Sequence, residues 1–375
     1  MSLKIAIVGC GKIADGQFEE ISKMPELGRV IAVCDREGLM AEQMSVRYGI
    51  PAYYDDFARL LQVERPDVVH ITTPPGSHLP IARAAIDAGA HVYVEKPLTL
   101  NYADSKQLVD YAVAHDRKLT IGYTYYFDPP ALELRDLRDR GVLGDIVHVE
   151  AFFGYGLGGP FGKVLMGDGR HWVHGLPGKL LHNNIDHLLN KALEFVPDAS
   201  PKILATGNKL RPERFGDARD EFLDELRVVI AGERTTFYGT FTSHVKPVGH
   251  FLRVYGTKAT AHADFVSRTV TLEPDATLPS AIGRVVPAFQ HGARYLKEGA
   301  RNVARFAKSE FHFFSGLNHL IRAYYESIVN KSAPPIPYDD ILRVSAWLDE
   351  IFKQVPQGPQ NKDAAPKIGT GGFGQ

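Results

Sequence analysis

"KIAIVGCGKIADG" spans residues 4–16, and its reading decides the fold. The apolar run "LKIAIVG" (3–9) ends in glycine, the pattern of a strand buried on both faces. Gly9, Gly11 and Ala14 follow in the spacing G-x-G-x-x-A, and a helical segment occupies 12–23. The first glycine permits a tight turn. The second lets backbone approach a pyrophosphate, which then rests at a helix N-terminus. Alone, this is a weak signal. The chain around it repeats the buried-strand pattern at "VIAVCD" (30–35), "VVHITT" (68–73), "HVYVEK" (91–96) and "LTIGY" (119–123). Helical segments at 36–48, 78–89 and 101–116 lie between. Such alternation predicts a doubly wound parallel sheet, here a dinucleotide-binding Rossmann domain over 1–124.

Asp35 closes the second strand. An acid there accepts hydrogen bonds from ribose hydroxyls and repels a 2′-phosphate, which favours NAD(H). Arg36 beside it keeps NADP(H) open. Gly9, Gly11, Lys12, Ile13, Asp35 and Arg36 are therefore cofactor-binding candidates. "VYVEKPLTL" (92–100) places Glu95, Lys96 and Pro97 at the carboxyl edge of the sheet, where ligands sit. Partial burial would lower the Lys96 pKa and make it a usable acid/base toward a substrate oxygen. A surface salt bridge is the plainer reading of Glu95 and Lys96.

The 375 residues are 44% hydrophobic and 23% charged with a net charge of −1, so no global field favours nucleic acid. Two cysteines, Cys10 and Cys34, exclude a disulfide framework and suit a cytoplasmic protein. No apolar run approaches the ~20 residues of a membrane span. Residues 125–355 form a second, substrate and oligomerisation domain. Segment 144–156 reads as a strand, and 157–178 as a loop with seven glycines and two prolines. A helix is expected at 179–194. Strand-like runs at 202–206, 222–231, 234–242, 250–256, 259–265 and 268–273 predict an antiparallel sheet. Helices follow at 286–308, 315–330 and 338–354. The Gly/Pro-rich end, 356–375, reads as a disordered tail.

"GCGKIA", "CDRE", "ITTPPGSHLPIARAAIDAGAHVYVEKP" and "IGY" together resemble the Gfo/Idh/MocA oxidoreductases, named for glucose–fructose oxidoreductase and inositol dehydrogenase. In that resemblance Thr73, Pro74 and His78 match the family's dinucleotide contacts, and Glu95-Lys96-Pro97 matches its signature. It implies an open, mainly antiparallel C-terminal sheet with helices, often an oligomer interface. It also implies hydride transfer at a carbinol carbon of a sugar, inositol or nucleotide-linked sugar. A cis bond before Pro97 is expected.

Residues 178–190, "GKLLHNNIDHLLN", interleave polar and apolar side chains. The family carries Asp-x-x-x-His on this helix. Aligned on glycine and apolar positions, its aspartate falls on His182 and its histidine on Asp186, an exchange of types. Spacing of four puts both on one face. Lys96 is then the main acid/base, His182 assists or holds substrate, and Asp186 orients His182. Asn183 faces the same side less well, and His187 reads as structural. For His182 and Asp186 the bland alternative is a satisfied polar seam.

Tyr123, Tyr125 and Tyr126 cross between the domains. Tyr123 and Tyr125 are substrate-binding candidates with Asn183, against core packing as the alternative. Arg170 and Trp172 belong to a loop that could cover substrate. His171 and His174 lack a third ligand, so no metal is expected.

At 286–308, Val286, Phe289, Ala293, Leu296, Ala300 and Val303 recur at helical spacing, flanked by basic residues. This basic amphipathic helix packs on its own domain, contacts a subunit, or touches an anionic membrane surface. The leading functional reading is an NAD(P)-dependent sugar oxidoreductase, expected as a homo-oligomer. Two alternatives stand beside it: tightly held NAD serving a net non-redox epimerisation, elimination or glycoside cleavage, and a non-catalytic nucleotide sensor.

Overall fold

The apolar runs of the N-terminal third become parallel strands: β1 (Leu3–Val8), β2 (Gly28–Cys34), β3 (Ala52–Tyr54), β4 (Val68–Ile71), β5 (His91–Val94) and β6 (Leu119–Ile121). Their order, β3-β2-β1-β4-β5-β6, is that of a doubly wound sheet. Ile5, Ile7, Val69, Ile71, Val92 and Val94 are fully buried. That double-sided burial explains why these strands show no alternation. Helices α1 (Lys12–Ile21), α2 (Gly38–Tyr48), α3 (Phe57–Glu64), α4 (His78–Asp87) and α5 (Tyr102–Ala114) connect them. Asp56 caps α3 by accepting from Ala58 and Arg59 N–H (2.8 and 3.2 Å), and Asn101 caps α5 through Asp104 N–H (2.8 Å). β3 and α3 are additions to the sequence reading. β3 is three residues at the sheet edge, too short to show periodicity.

The structure is a computed structural model that describes residues 2–168, 170–210, 222–274, 282–308 and 314–355. The expected tail at 356–375 lies outside the described residues.

α6 (Pro129–Asp139) opens the C-terminal half, followed by β7 (Ile146–Gly156), α7 (Pro160–Gly167), α8 (Lys179–Asn184) and α9 (Asp186–Leu189). β8 (Lys202–Asn208), β9 (Glu225–Ala231), β10 (Thr236–Thr242), β11 (His244–Gly256), β12 (Ala259–Asp264) and β13 (Thr269–Pro274) complete a seven-stranded sheet of order β13-β12-β11-β7-β10-β9-β8. It is mainly antiparallel, with one departure: β7 and β10 pair in parallel. Strand counting along the chain cannot show that β7 lies between β11 and β10.

Two expectations change here. The glycine-rich 157–178 is not all loop. It holds α7, and a 3-10 turn at Trp172–Gly175. Leu165, Val173, Leu180 and Phe222 form a small buried cluster that secures it. The single helix expected at 179–194 is two short pieces meeting at Ile185.

α10 (Ile282–Ala307), α11 (Ser315–Val329) and α12 (Tyr338–Gln354) end the fold. Although their sequence belongs to the second half, α11 and α12 pack back on the first. The Tyr324 hydroxyl donates to the Val92 carbonyl (2.8 Å), and Asp349 accepts from Tyr102 N–H (3.1 Å). Cys10 and Cys34 are buried, and burial first, then Asp35, pushes both thiols up to about 12.

Candidate active site

The glycine turn has the geometry of an anion cradle. Gly9 sits at φ +96°, and a Cβ there would lie 2.8 Å from the Thr73 backbone nitrogen, so only glycine fits. Gly11 is different: a Cβ would meet nothing within 4 Å. The space it leaves lies above the N-terminus of α1, which has no side-chain cap. Open N–H groups and open room are what a pyrophosphate needs. Asp35 is held at the end of β2, its Oδ2 accepting from Cys10 N–H (2.7 Å) and its Oδ1 from Glu37 N–H (2.9 Å). Arg36 is largely exposed, 3.7 Å from Glu37. These residues fit a dinucleotide.

His78 does not reach this space. It is fully buried, with Nε2 2.8 Å from the Thr73 carbonyl and Nδ1 3.0 and 3.1 Å from those of Pro97 and Leu98. It ties the Thr73 loop to the loop bearing Lys96. Thr73 and Pro75, rather than Pro74, line the cleft.

A cleft of about 480 Å³ runs from this cradle to α8 and α9. Lys12, Ile13, Thr72, Thr73, Glu95, Lys96, Gly122, Tyr125, Asp128, Trp172, Asn183 and His187 line it. Lys96, joined to Pro97 by the expected cis bond, donates from Nζ to the Asn183 carbonyl (2.9 Å) and Oδ1 (3.3 Å). An ammonium has three N–H donors, so one remains for a ligand. Burial lowers the Lys96 pKa, with Glu95 and Asp186 opposing.

Glu95 accepts from Gln17 Nε2 (2.6 Å). Gln17 Oε1 lies 2.6 Å from His70 Nδ1, and His70 Nε2 lies 2.7 Å from the Tyr325 hydroxyl. One proton arrangement satisfies every member: Tyr325 donates to His70, His70 to Gln17, and Gln17 to Glu95. Sequence reading missed this buried chain. Its one signal was a histidine inside the otherwise apolar fourth strand.

The short helix departs most from expectation. His182 and Asp186 share a face, but neither lines the cleft. His182 is 2% exposed and stacks on Phe352 (centroids 4.9 Å apart). Burial, then Lys96, pushes its pKa down to about 3. Asp186 is fully buried, and burial pushes its carboxyl up to about 7, against the pull of Lys96 and the adjacent Tyr123 phenol. Neither carboxyl oxygen of Asp186 meets a partner at full hydrogen-bond geometry. It does not orient His182. The pair one residue further on, Asn183 and His187, faces the cleft instead. One step is ~100° of helix rotation, enough to exchange faces. His187, expected as structural, meets Tyr125 edge-on (5.0 Å), and burial, then Lys96 and Lys191, drives its pKa well below the ordinary range.

Behind His187, Lys191 is 2% exposed and contacts His250 Nε2 amid the rings of Tyr125, Phe153 and Phe265. Burial holds its pKa well below normal, with Asp128 opposing. Among the substrate candidates, Tyr125, Trp172 and Asn183 line the cleft. Tyr123 is buried against Asp186, Tyr126 packs under Arg135, and Arg170 points to solvent beside Asp168. His174 bonds the Leu165 carbonyl (2.9 Å), and among the described residues no cluster could hold a metal ion. Phe314, Gly316 and Leu317 close the cleft from α11 and the residue before it, a contribution no local pattern announces.

Comparison with known proteins agrees with this geometry. Residues 3–123 match the Gfo/Idh/MocA group described as "Oxidoreductase family, NAD-binding Rossmann fold". Inositol 2-dehydrogenase of Gluconacetobacter diazotrophicus is 33% identical over 154 residues, 40% of this chain and 45% of that one. D-glucoside 3-dehydrogenase of Escherichia coli is 29% identical over 144 residues, 38% and 41% of the two chains. The matched stretches thus span less than half of these relatives. The fold extends further: an NAD-binding oxidoreductase from Klebsiella pneumoniae superposes with a TM-score of 0.75 at 20% identity, covering 94% of this chain and 96% of the other.

Proposed function

We propose, from the premise that this chain belongs to the Gfo/Idh/MocA oxidoreductase family through residues 3–123, that it is an NAD(H)-dependent dehydrogenase or reductase acting on a ring carbinol of a sugar, nucleotide-linked or otherwise modified. The observation that carries this is Lys96. Its amine lies in the cleft beside the cradle, anchored by Asn183, with one N–H unused and a lowered pKa. The relatives named inositol 2-dehydrogenase and D-glucoside 3-dehydrogenase support a polyol or sugar substrate.

A bound nicotinamide dinucleotide supplies the hydride acceptor or donor. Gly9, Gly11, Lys12, Ile13, Thr73 and Asp35 would hold it. Lys96 binds the reacting hydroxyl or carbonyl oxygen. As a neutral amine it takes the hydroxyl proton in oxidation; as an ammonium it returns one in reduction. Asn183 fixes the direction of the Lys96 amine and cannot itself accept the proton. His187, kept neutral by its surroundings, offers a hydrogen bond to the same oxygen or to its neighbour. Tyr125 and Trp172 provide apolar faces against which a sugar ring can lie.

The exchanged His182/Asp186 pair is the sequence feature that lends weight to the net non-redox alternative. With that pair outside the cleft, no observation favours it over simple oxidation.

The test is to incubate the purified chain with NAD and a panel of free and nucleotide-linked sugars, beside Lys96→Met. A sugar-dependent gain of the reduced-nicotinamide absorbance, lost in the variant while NAD still binds, supports the proposal. A chemically altered sugar without net reduction of NAD moves the assignment to the non-redox reaction. Bound nucleotide with no sugar changed sinks both.

A further inference from the structure

α10 is inverted relative to an ordinary surface helix. Its polar side faces its own domain. Glu298 is 5% exposed and pairs with Arg301 (3.1 Å), which also reaches Glu133 on α6 (2.9 Å). His291 lies 3.6 Å from Glu273 of β13, and Asn302 donates to the Ser267 carbonyl (2.7 Å). Its apolar side faces solvent: Phe289, Leu296, Val303 and Phe306 are 76, 78, 70 and 72% exposed. Steps of seven, seven and three keep them on one stripe, and exposed Val285 continues it. Polar anchors along the helix hold it in this orientation, so the stripe is not a loose face awaiting its own core.

The charge beside the stripe has one sign. Segment 282–308 contains six basic residues and one acid, Glu298, which is turned inward and paired. Arg284, Lys297 and Lys308 are exposed, and none has an acidic partner among the described residues. An apolar stripe bordered only by positive charge complements a surface that is anionic outside and hydrocarbon beneath. We propose that α10 docks this protein in the plane of an anionic lipid leaflet, with Phe289, Leu296, Val303 and Phe306 entering the acyl boundary.

A second copy fits less well. Self-pairing would set two basic helices together with no outward-facing acid on either to offset them, whereas helical seams place opposite charges at their edges. Gly292 and Gly299 interrupt the stripe, leaving gaps that a rigid partner must match in shape and fluid acyl chains fill without matching. No helix among the described residues is long and apolar enough to cross a membrane, so the contact is in-plane. Phe314 of the cleft follows Lys308 by six residues, at most ~22 Å of chain. Docking therefore holds one edge of the cleft near the surface.

The experiment is sedimentation of the full chain with vesicles of phosphatidylcholine, alone or mixed with phosphatidylglycerol, at low and high salt. Binding to the mixed vesicles should exceed binding to phosphatidylcholine by at least about tenfold and weaken with salt. Phe289→Asp/Leu296→Asp should abolish it. Lys297→Glu/Lys308→Glu, both on exposed side chains, should lower it about tenfold at low salt. NAD binding and thermal midpoint should stay unchanged in each variant. Absence of binding to the mixed vesicles, or binding indifferent to Phe289→Asp/Leu296→Asp, overturns the proposal. So does a dimer in equilibrium sedimentation that this variant splits into monomers, since a second copy would then cover the stripe.

Discussion

Two residue pairs on one short stretch of helix have the same spacing and opposite surroundings. His182 and Asp186 lie in the interior, the imidazole against Phe352 and the carboxyl beside Tyr123. Asn183 and His187, one position on, border the cleft. A spacing of four guarantees that two side chains share a face but says nothing about which way that face points. Direction comes from what packs on the other side, here α12 and the floor of the C-terminal sheet. The same residue type, histidine, is thereby buried filler in one place and a candidate ligand-contacting group in the other.

Both faces neighbour Lys96, so its loss sets the scale. Lys96→Met should lower kcat about 10³-fold with NAD affinity little changed. Steady-state kinetics with a responsive sugar would measure this. Turnover within tenfold of the parent would remove Lys96 from proton transfer and leave the two faces without a common centre.

The interior face should declare itself in stability. The Asp186 carboxyl is raised to about 7 in the fold, against an ordinary value of 3.8. The fold therefore holds this proton more tightly than the unfolded chain does. Its contribution is fully present below pH 3.8 and is lost as pH rises through about 7, at most on the order of 4 kcal/mol. Asp186→Asn should flatten that decline, read from urea midpoints at pH 5 and 8. The readout is the difference between parent and variant, because the buried neutral histidines contribute in the opposite direction over the same range; a difference that is the same at both pH values means that Asp186 is charged in the fold and paired with Lys96.

A direct contest between the histidines comes next. His187→Ala should cost about 100-fold in kcat with the fold intact. His182→Phe, which keeps the stack on Phe352, should leave kcat within a few-fold. Equal losses from the two, at unchanged thermal midpoints, would return His182 to the site and reverse the face assignment.

The smallest effect concerns Asn183. Asn183→Asp adds a carboxylate against the Lys96 amine and stabilises its ammonium form. The low-pH limb of kcat/KM for oxidation should move to higher pH. A limb that stays in place means that another group titrates there.

Much of this was legible before any coordinates. Gly9, Gly11, Asp35, Lys96 and the parallel sheet follow from buried strands that end at fixed points, where backbone and ligand must meet. The Lys96 loop sits at the carboxyl edge of β5 for that reason. The Glu95–Gln17–His70–Tyr325 chain was not legible, because its members come from the residue after β5, from α1, β4 and α11, and share no local spacing. Lys191 has no sequence signal either, because the rings of Tyr125, Phe153 and Phe265 that enclose it come from separate segments. The resemblance implies a dinucleotide contact for His78, but both its ring nitrogens face backbone carbonyls and it joins two loops.

Local sequence dictated where chain direction, turn chemistry and burial period leave one solution: the glycine cradle, the alternation of buried strands and helices that makes the first half a parallel sheet, and the lysine at the sheet edge. Those depend on interactions within a few residues, so they can be read along the chain. Packing between distant segments settled the rest: which face of residues 182–187 meets the cleft, which strand lies beside β7, and which side of α10 is left to solvent. Each depends on where a partner from another element comes to rest, and a helix turned by ~100° or a strand inserted between two others leaves the local pattern unchanged.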